Sequence, residues 1–133
     1  MNWGLYPWKK WLLAASGIAV LGVLAAYVGV SFWIGSDVRS ITAEVMRAHE
    51  GDRVEALITY VDEPTHSLKE RNRAVWALGQ LGDQRALPVL EKYRTGQPCD
   101  HTSTLCQREL AKAVHLAGGG VNVTALVWRR DSM

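Results

Sequence analysis

No charged side chain falls between Trp11 and Ile34, and no stretch after Asp37 alternates apolar and polar residues. The second absence argues against strands, because a half-buried strand needs period-two alternation. Also missing are a His-Glu-x-x-His pair, a nucleophile elbow and a phosphate-binding glycine loop, so the usual signatures of metalloprotease, serine-hydrolase and nucleotide chemistry are lacking. His49, His66, His101 and His115 stand on different segments, and Asp62-Glu63 reads as a solvated helix end. No catalytic residue, metal site or cofactor is expected. Excess charge is scarce too: the net charge is +2 and comes from Lys9 and Lys10, because residues 35–133 hold 13 basic and 13 acidic side chains. A neutral domain offers no basic face for nucleic acid.

Cysteine occurs twice, as Cys99 and Cys106 in "CDHTSTLC". There is no Cys-x-x-Cys redox pair and no haem-attachment motif. Two cysteines this close in a domain facing an oxidising compartment are expected to pair as a disulfide. A loop that short is stabilised by about 2–3 kcal/mol in the chain-entropy picture. Zinc is the rival, with Asp100 and His101 beside Cys99, but no second ligand pair exists to complete four-fold coordination.

The charge-free run "WLLAASGIAVLGVLAAYVGVSFWI", residues 11–34, is 24 residues long. As a helix rising about 1.5 Å per residue it spans roughly 36 Å, enough to cross a bilayer. Trp3, Tyr6, Trp8 and Trp11 crowd one end and Phe32 and Trp33 the other, as interfacial aromatic anchors do. The expected organisation is an interfacial segment 1–10, a transmembrane helix 11–34 and a soluble domain 35–133. A cleaved signal peptide, with Ile34-Gly35-Ser36 as the cleavage site, is disfavoured because signal cores run only about 7–15 residues. Lys9 and Lys10 favour an N-terminus inside the cell. The domain is then extracytoplasmic, on a single-pass protein of a cell membrane of bacterial inner-membrane type.

Within the run, Ala15, Ala19, Gly22, Ala26 and Gly29 recur at alternating steps of four and three. Such a seam lets another helix approach closely, a principal means of recognition in lipid.

Beyond Asp37 the apolar spacing is helical over about 37–49, 52–62, 67–81, 84–95, 103–117 and a shorter 123–130. Ser67 with Glu70, and Thr104 with Gln107, have capping-box spacing. Gly51, Gly82 and Gly96 mark expected stops, and Pro88 sits in the first turns of its segment. Three thin hairpins leave little concave room for a substrate. The domain also repeats itself: Glu70, Ala74, Val75, Gly79, Ala86 and Leu87 each meet the same residue type 39 positions later, from Glu109 to Leu126. Asp83 meets Asn122, either able to cap the next helix, and "EGDRVEAL" is a fainter upstream copy. In this register Gly79 and Gly82 close one helix, and Trp76 and His115 share a packing position.

"ERNRAVWALGQLGDQRALPVLEKY" resembles a HEAT repeat of the short, phycobilisome-lyase-type form: an arginine- and alanine-rich helix, a leucine-glycine turn, an aspartate, and a helix carrying Ala-Leu and Leu. The resemblance is strong over 67–95, fair over 103–128 and weak over 37–63. It implies an all-α protein, a single transmembrane helix followed by an α-solenoid of about two and a half hairpins, and protein binding. It does not carry over a lyase activity, for which no catalytic residue matches.

Stacked hairpins bury a shared core and leave an extended surface for partners. Val54, Leu57, Ile58 and Val61, and then Ala86, Leu87, Leu90 and Tyr93, are expected inside. Glu55, Thr59, Asp62, Arg85, Pro88, Glu91 and Lys92 then form an outward ridge proposed to bind a partner. Trp128 either folds back to close the core or docks into a partner. The resulting expectation is a non-catalytic accessory or assembly subunit, contacting membrane lipid and other membrane protein subunits. The alternatives are a lyase-like or cofactor-handling protein, and a thiol sensor using Cys99 and Cys106.

Overall fold

A computed structural model describes residues 7–129, and every regular element among them is helical. In order they are α1 (Pro7–Val45), α2 (Arg53–Asp62), α3 (Leu68–Leu81), a 3-10 turn (Gln84–Ala86) running into α4 (Leu87–Lys92), α5 (Gln107–Ala117) and α6 (Ala125–Trp128). The architecture is the expected one, a long apolar N-terminal helix followed by a short α-solenoid. Trp3 and Tyr6, and position 130 at the end of the last expected segment, lie outside the described residues.

The helix does not break where the domain was expected to begin. α1 runs unbroken for 39 residues through Ile34-Gly35-Ser36, so the separate segment expected over 37–49 is its last turns. Gly35 is no hinge. It is buried, and a Cβ built there would stand 2.7 Å from both Cβ and Cγ of Trp128, which makes it a notch for the indole. Along the same face Ser31, Val38, Thr42 and Val45 are buried by the domain, whereas Trp8 to Ala26 are exposed throughout. The docked stretch begins at Tyr27, whose hydroxyl donates to the Val123 carbonyl at 2.6 Å. The helix is therefore bare on every side from Trp8 to Ala26, about 28 Å at about 1.5 Å per residue, and covered on one side from Tyr27 onward, where Val28, Val30, Phe32 and Trp33 stay exposed on the other.

α2 and α3 start as their sequences dictate. Asp52 accepts from the Val54 and Glu55 amides while Glu55 reaches back to the Asp52 amide, and Ser67 and Glu70 make the same reciprocal pair. α3 ends on Gly82 in the left-handed conformation (φ 64°), which costs a glycine little. Gly79 plays a different part from the helix end assigned to it. It lies inside α3 and is buried, and a Cβ on it would come within 2.8 Å of the Ala113 Cα on α5. The contact lets the first helices of two successive repeats pack almost backbone to backbone. The core around it comprises Leu57, Val61, Val75, Leu78, Leu90 and Leu110. Val89, which the inward list omitted, is buried as well.

The Thr104–Gln107 capping box does not form. α5 begins at Gln107 with Cys106 as its N-cap and no side-chain cap. Gln107 is buried instead and stitches the preceding loop: its carbonyl accepts from the Thr95 amide at 2.7 Å and its amide donates to the Tyr93 and Leu105 carbonyls, each at 3.1 Å.

Candidate functional site

The expected ridge is on the surface: Glu55, Thr59, Asp62, Arg85, Pro88, Glu91 and Lys92 are all exposed. Its cations, however, already have partners within the fold. Arg85 Nη1 meets Asp52 Oδ2 at 2.6 Å and Glu55 Oε1 at 3.6 Å, while its Nη2 meets Asp83 Oδ2 at 2.9 Å. Asp52 caps α2 and Asp83 caps the 3-10 turn, so one guanidinium ties the starts of two neighbouring hairpin arms. Both carboxyls sit below their ordinary range, Asp52 first through the Glu55 amide and then Arg85, Asp83 first through the Arg85 side chain. Lys92 and Tyr93 both reach Asp62, at 2.5 and 2.8 Å, and the lysine is the larger cause of the lowered Asp62 carboxyl.

Beside that ridge lies a groove of about 800 Å³ between the start of α2, the turn after α3, and α6. Its lining includes Val54, Leu81, Asp83, Arg85, Leu126 and Arg129. The expectation of little concave room was therefore too strict, because the loop ahead of α6 closes one wall. Among the described residues the lining has no histidine, cysteine, serine or lysine, and its acids Asp52 and Asp83 are held by Arg85. What it offers is an apolar floor rimmed by charge, with Val121 and Leu126 still 82% and 67% exposed at its mouth.

Trp128 corrects the docking reading. It is 1% exposed and packs with Val38 and Ala125. The last helix is too short to bury an apolar face alone, so its tryptophan is spent closing the core on α1. Arg129 beside it donates to the Gln80 carbonyl, and Asn122 donates to the Gln80 side chain at 2.8 Å. As expected of a capping position, Asn122 also accepts from the Ala125 amide. Trp76 packs against the core as its repeat position implies, but its counterpart His115 is exposed.

The small-residue seam is uncovered. Ala15, Ala19, Gly22, Ala26 and Gly29 are exposed, and a Cβ on Gly22 or Gly29 would meet nothing within 4 Å. At about 100° per residue the seam lies roughly 160° around α1 from the face that Ser31, Gly35, Val38, Thr42 and Val45 give to the domain. One helix thus presents two nearly opposite faces, one holding its own domain and one bare.

The cysteines are brought together but not joined. Their Sγ atoms are 3.1 Å apart as thiols, whereas a disulfide spans about 2.05 Å. Hydrogen bonding from Cys106, and then from the Arg108 amide at 3.2 Å, pushes the Cys99 thiol down. Asp100, which follows Cys99, is pulled down to about 2 by Ser103 and Thr102.

Two features escaped the periodicity argument. Arg71 is buried, donates to the Val61 carbonyl at 2.8 Å and stacks over Tyr93 at 5.0 Å, which answers the open carbonyl end of α2. The histidines are also less scattered than the sequence implied, because His49 and His66 converge on Glu63, at 3.3 and 3.1 Å.

Residues 70–93 match the family model of the PBS lyase HEAT-like repeat. That segment comprises most of α3, the left-handed glycine turn, the capping Asp83 and α4. No curated protein and no solved structure matches the chain.

Proposed function

From a chain built around a PBS lyase HEAT-like repeat we infer a non-catalytic, single-pass, membrane-anchored interaction module. It serves as an accessory or assembly subunit of a larger membrane complex. The observation that carries this reading is the division of α1 into two faces. Its domain grips one side from Tyr27 onward, and the small-residue seam on the other side stays bare for a second helix. The charge-free run from Trp11 to Ile34 is long enough for the roughly 30 Å hydrocarbon core, with Lys9 and Lys10 at its cytoplasmic end and the domain extracytoplasmic. Val121, Val123 and Leu126 are exposed beside the point where the domain takes hold of the helix. The groove then faces partners anchored in the same membrane.

The test is purification in gentle detergent with the co-purifying chains identified and quantified. With Gly22→Leu and Ala26→Leu together, stoichiometric partners fall away while the melting temperature of the domain is unchanged. Partners retained at full stoichiometry by that double variant would sink the reading. A second reading, a thiol sensor, is favoured only by the 3.1 Å approach of Cys99 and Cys106.

A further inference from the structure

Three donors from three separate segments meet at one end of the first hairpin. His49 lies just past α1, Glu63 is the C-cap of α2, and His66 immediately precedes the N-cap of α3. The imidazole nitrogens and a carboxylate oxygen all lie within 4.8 Å of one another. His49 Nε2 stands 3.3 Å from Glu63 Oε1 and His66 Nε2 stands 3.1 Å from Glu63 Oε2.

Those spacings have a meaning for a metal. Two nitrogen or oxygen ligands at about 2.0–2.1 Å from a cation, in tetrahedral or octahedral arrangement, stand about 2.9–3.4 Å apart. Both observed distances fall in that range. The distances run to different oxygens of Glu63, so a cation here would take both carboxylate oxygens, and the two histidines would draw together around it.

The rings are also oriented for the task. His49 Nδ1 lies 3.2 Å from the Val45 carbonyl, which can only accept, so the proton of that bond sits on Nδ1. In the neutral ring Nε2 then turns a lone pair, not a donor, toward the Glu63 carboxylate. Either a second proton or a cation must stand between them. A ring nitrogen anchored to a carbonyl while its other nitrogen faces a cation is the usual outer-shell arrangement of a metal-binding histidine. Tyr60 holds both rings, stacked on His66 at 3.7 Å between centroids and edge-on to His49 at 5.6 Å.

The rival set, Cys99, His101 and Cys106, fits less well. Two zinc-bound sulfurs at about 2.3 Å stand about 3.8 Å apart in a tetrahedron, whereas these Sγ atoms are 3.1 Å apart.

We propose that His49, Glu63 and His66 form a site for a divalent transition metal of the Zn2+ type, leaving at least one coordination position open. A bound cation would clip the ends of α1 and α2 to the start of α3, so that metal and domain stability are linked.

The test uses the full chain in detergent micelles under reducing conditions, titrated with Zn2+ by calorimetry and with Co2+ by visible absorption. The expected result is one metal per chain, a Co2+ spectrum without a sulfur charge-transfer band, and a melting temperature raised by Zn2+. Glu63→Gln, which keeps the side-chain shape, and His66→Ala should each weaken Zn2+ binding by at least about tenfold and abolish the thermal shift. Cys99→Ser should change neither. Circular dichroism confirms that each variant is folded. The proposal is overturned if no metal binds, if binding carries a thiolate band and is lost with Cys99→Ser, or if folded Glu63→Gln and His66→Ala bind as the parent does.

Discussion

Gly79→Leu should be one of the two most damaging single substitutions in the domain. A Cβ at that position would already stand 2.8 Å from the Ala113 Cα and 3.0 Å from its Cβ, and the Cα belongs to backbone that cannot swing aside. Overpacking of this kind costs about 1–3 kcal/mol and sometimes more, and the obstructed contact is the α3–α5 junction around which the core is built. For a domain of this size about 3 kcal/mol corresponds to a fall in melting temperature on the order of 10–20 °C. Thermal melts followed by circular dichroism measure it. A shift of only a degree or two would mean that α3 and α5 do not approach as described.

Trp128→Ala should be the other, for the opposite reason. Removing a fully buried tryptophan leaves a cavity and costs about 3–5 kcal/mol. The loss falls on the seam between α6 and α1, so the domain should also loosen its hold on the anchor around Ser31, Gly35 and Val38. The indole Nε1 is buried without a hydrogen-bond partner among the described residues. Trp128→Phe therefore forfeits packing area but no hydrogen bond and should cost much less than alanine. Denaturant unfolding of the three proteins checks the order. Equal stability of Trp128→Ala and the parent, with binding alone impaired, would restore the docking reading that the burial of Trp128 argues against.

How much of this was legible in the sequence depends on the range of the interaction. Capping at Ser67-Glu70, the left-handed Gly82 and the cap at Asp83 are decided within a few residues, and they were read directly. The echo of residues 70–87 at 109–126 carried the solenoid, because a repeated helical hairpin has few other ways to bury its apolar face. Gly79 was misread as a helix end, and nothing in the sequence marked Gly35 as the seat of the indole. Glycine is permissive in a turn, but it also makes room for a neighbour, and only the neighbour's position, Ala113 or Trp128, tells which applies. The ridge was placed correctly on the outside, yet the engagement of Arg85 by Asp52, Glu55 and Asp83 links residues up to 33 apart in sequence, beyond any helical spacing. His49 was missed for the same reason, and His66, an i,i+3 neighbour of Glu63, was missed because the chain between them is not helical; the three meet because three helix ends are gathered at one corner. Nothing local marks Arg71 for burial; its partners, the Val61 carbonyl and the Tyr93 ring, come from other segments.

The central claim is that α1 anchors the chain in a bilayer and that the domain rests at the bilayer surface, with Val123 beside Tyr27 where the stretch bare on every side ends. Spin labels on Ala19→Cys, Val123→Cys and Glu91→Cys, each with Cys99 and Cys106 replaced by alanine, can be compared in lipid vesicles for collision with oxygen and with a water-soluble nickel complex. The account predicts residue 19 in the hydrocarbon, residue 123 at headgroup depth and residue 91 in water. A label at 123 as accessible to nickel as the one at 91, with 19 still in hydrocarbon, would contradict the seating of the domain; all three in water would contradict the anchor itself.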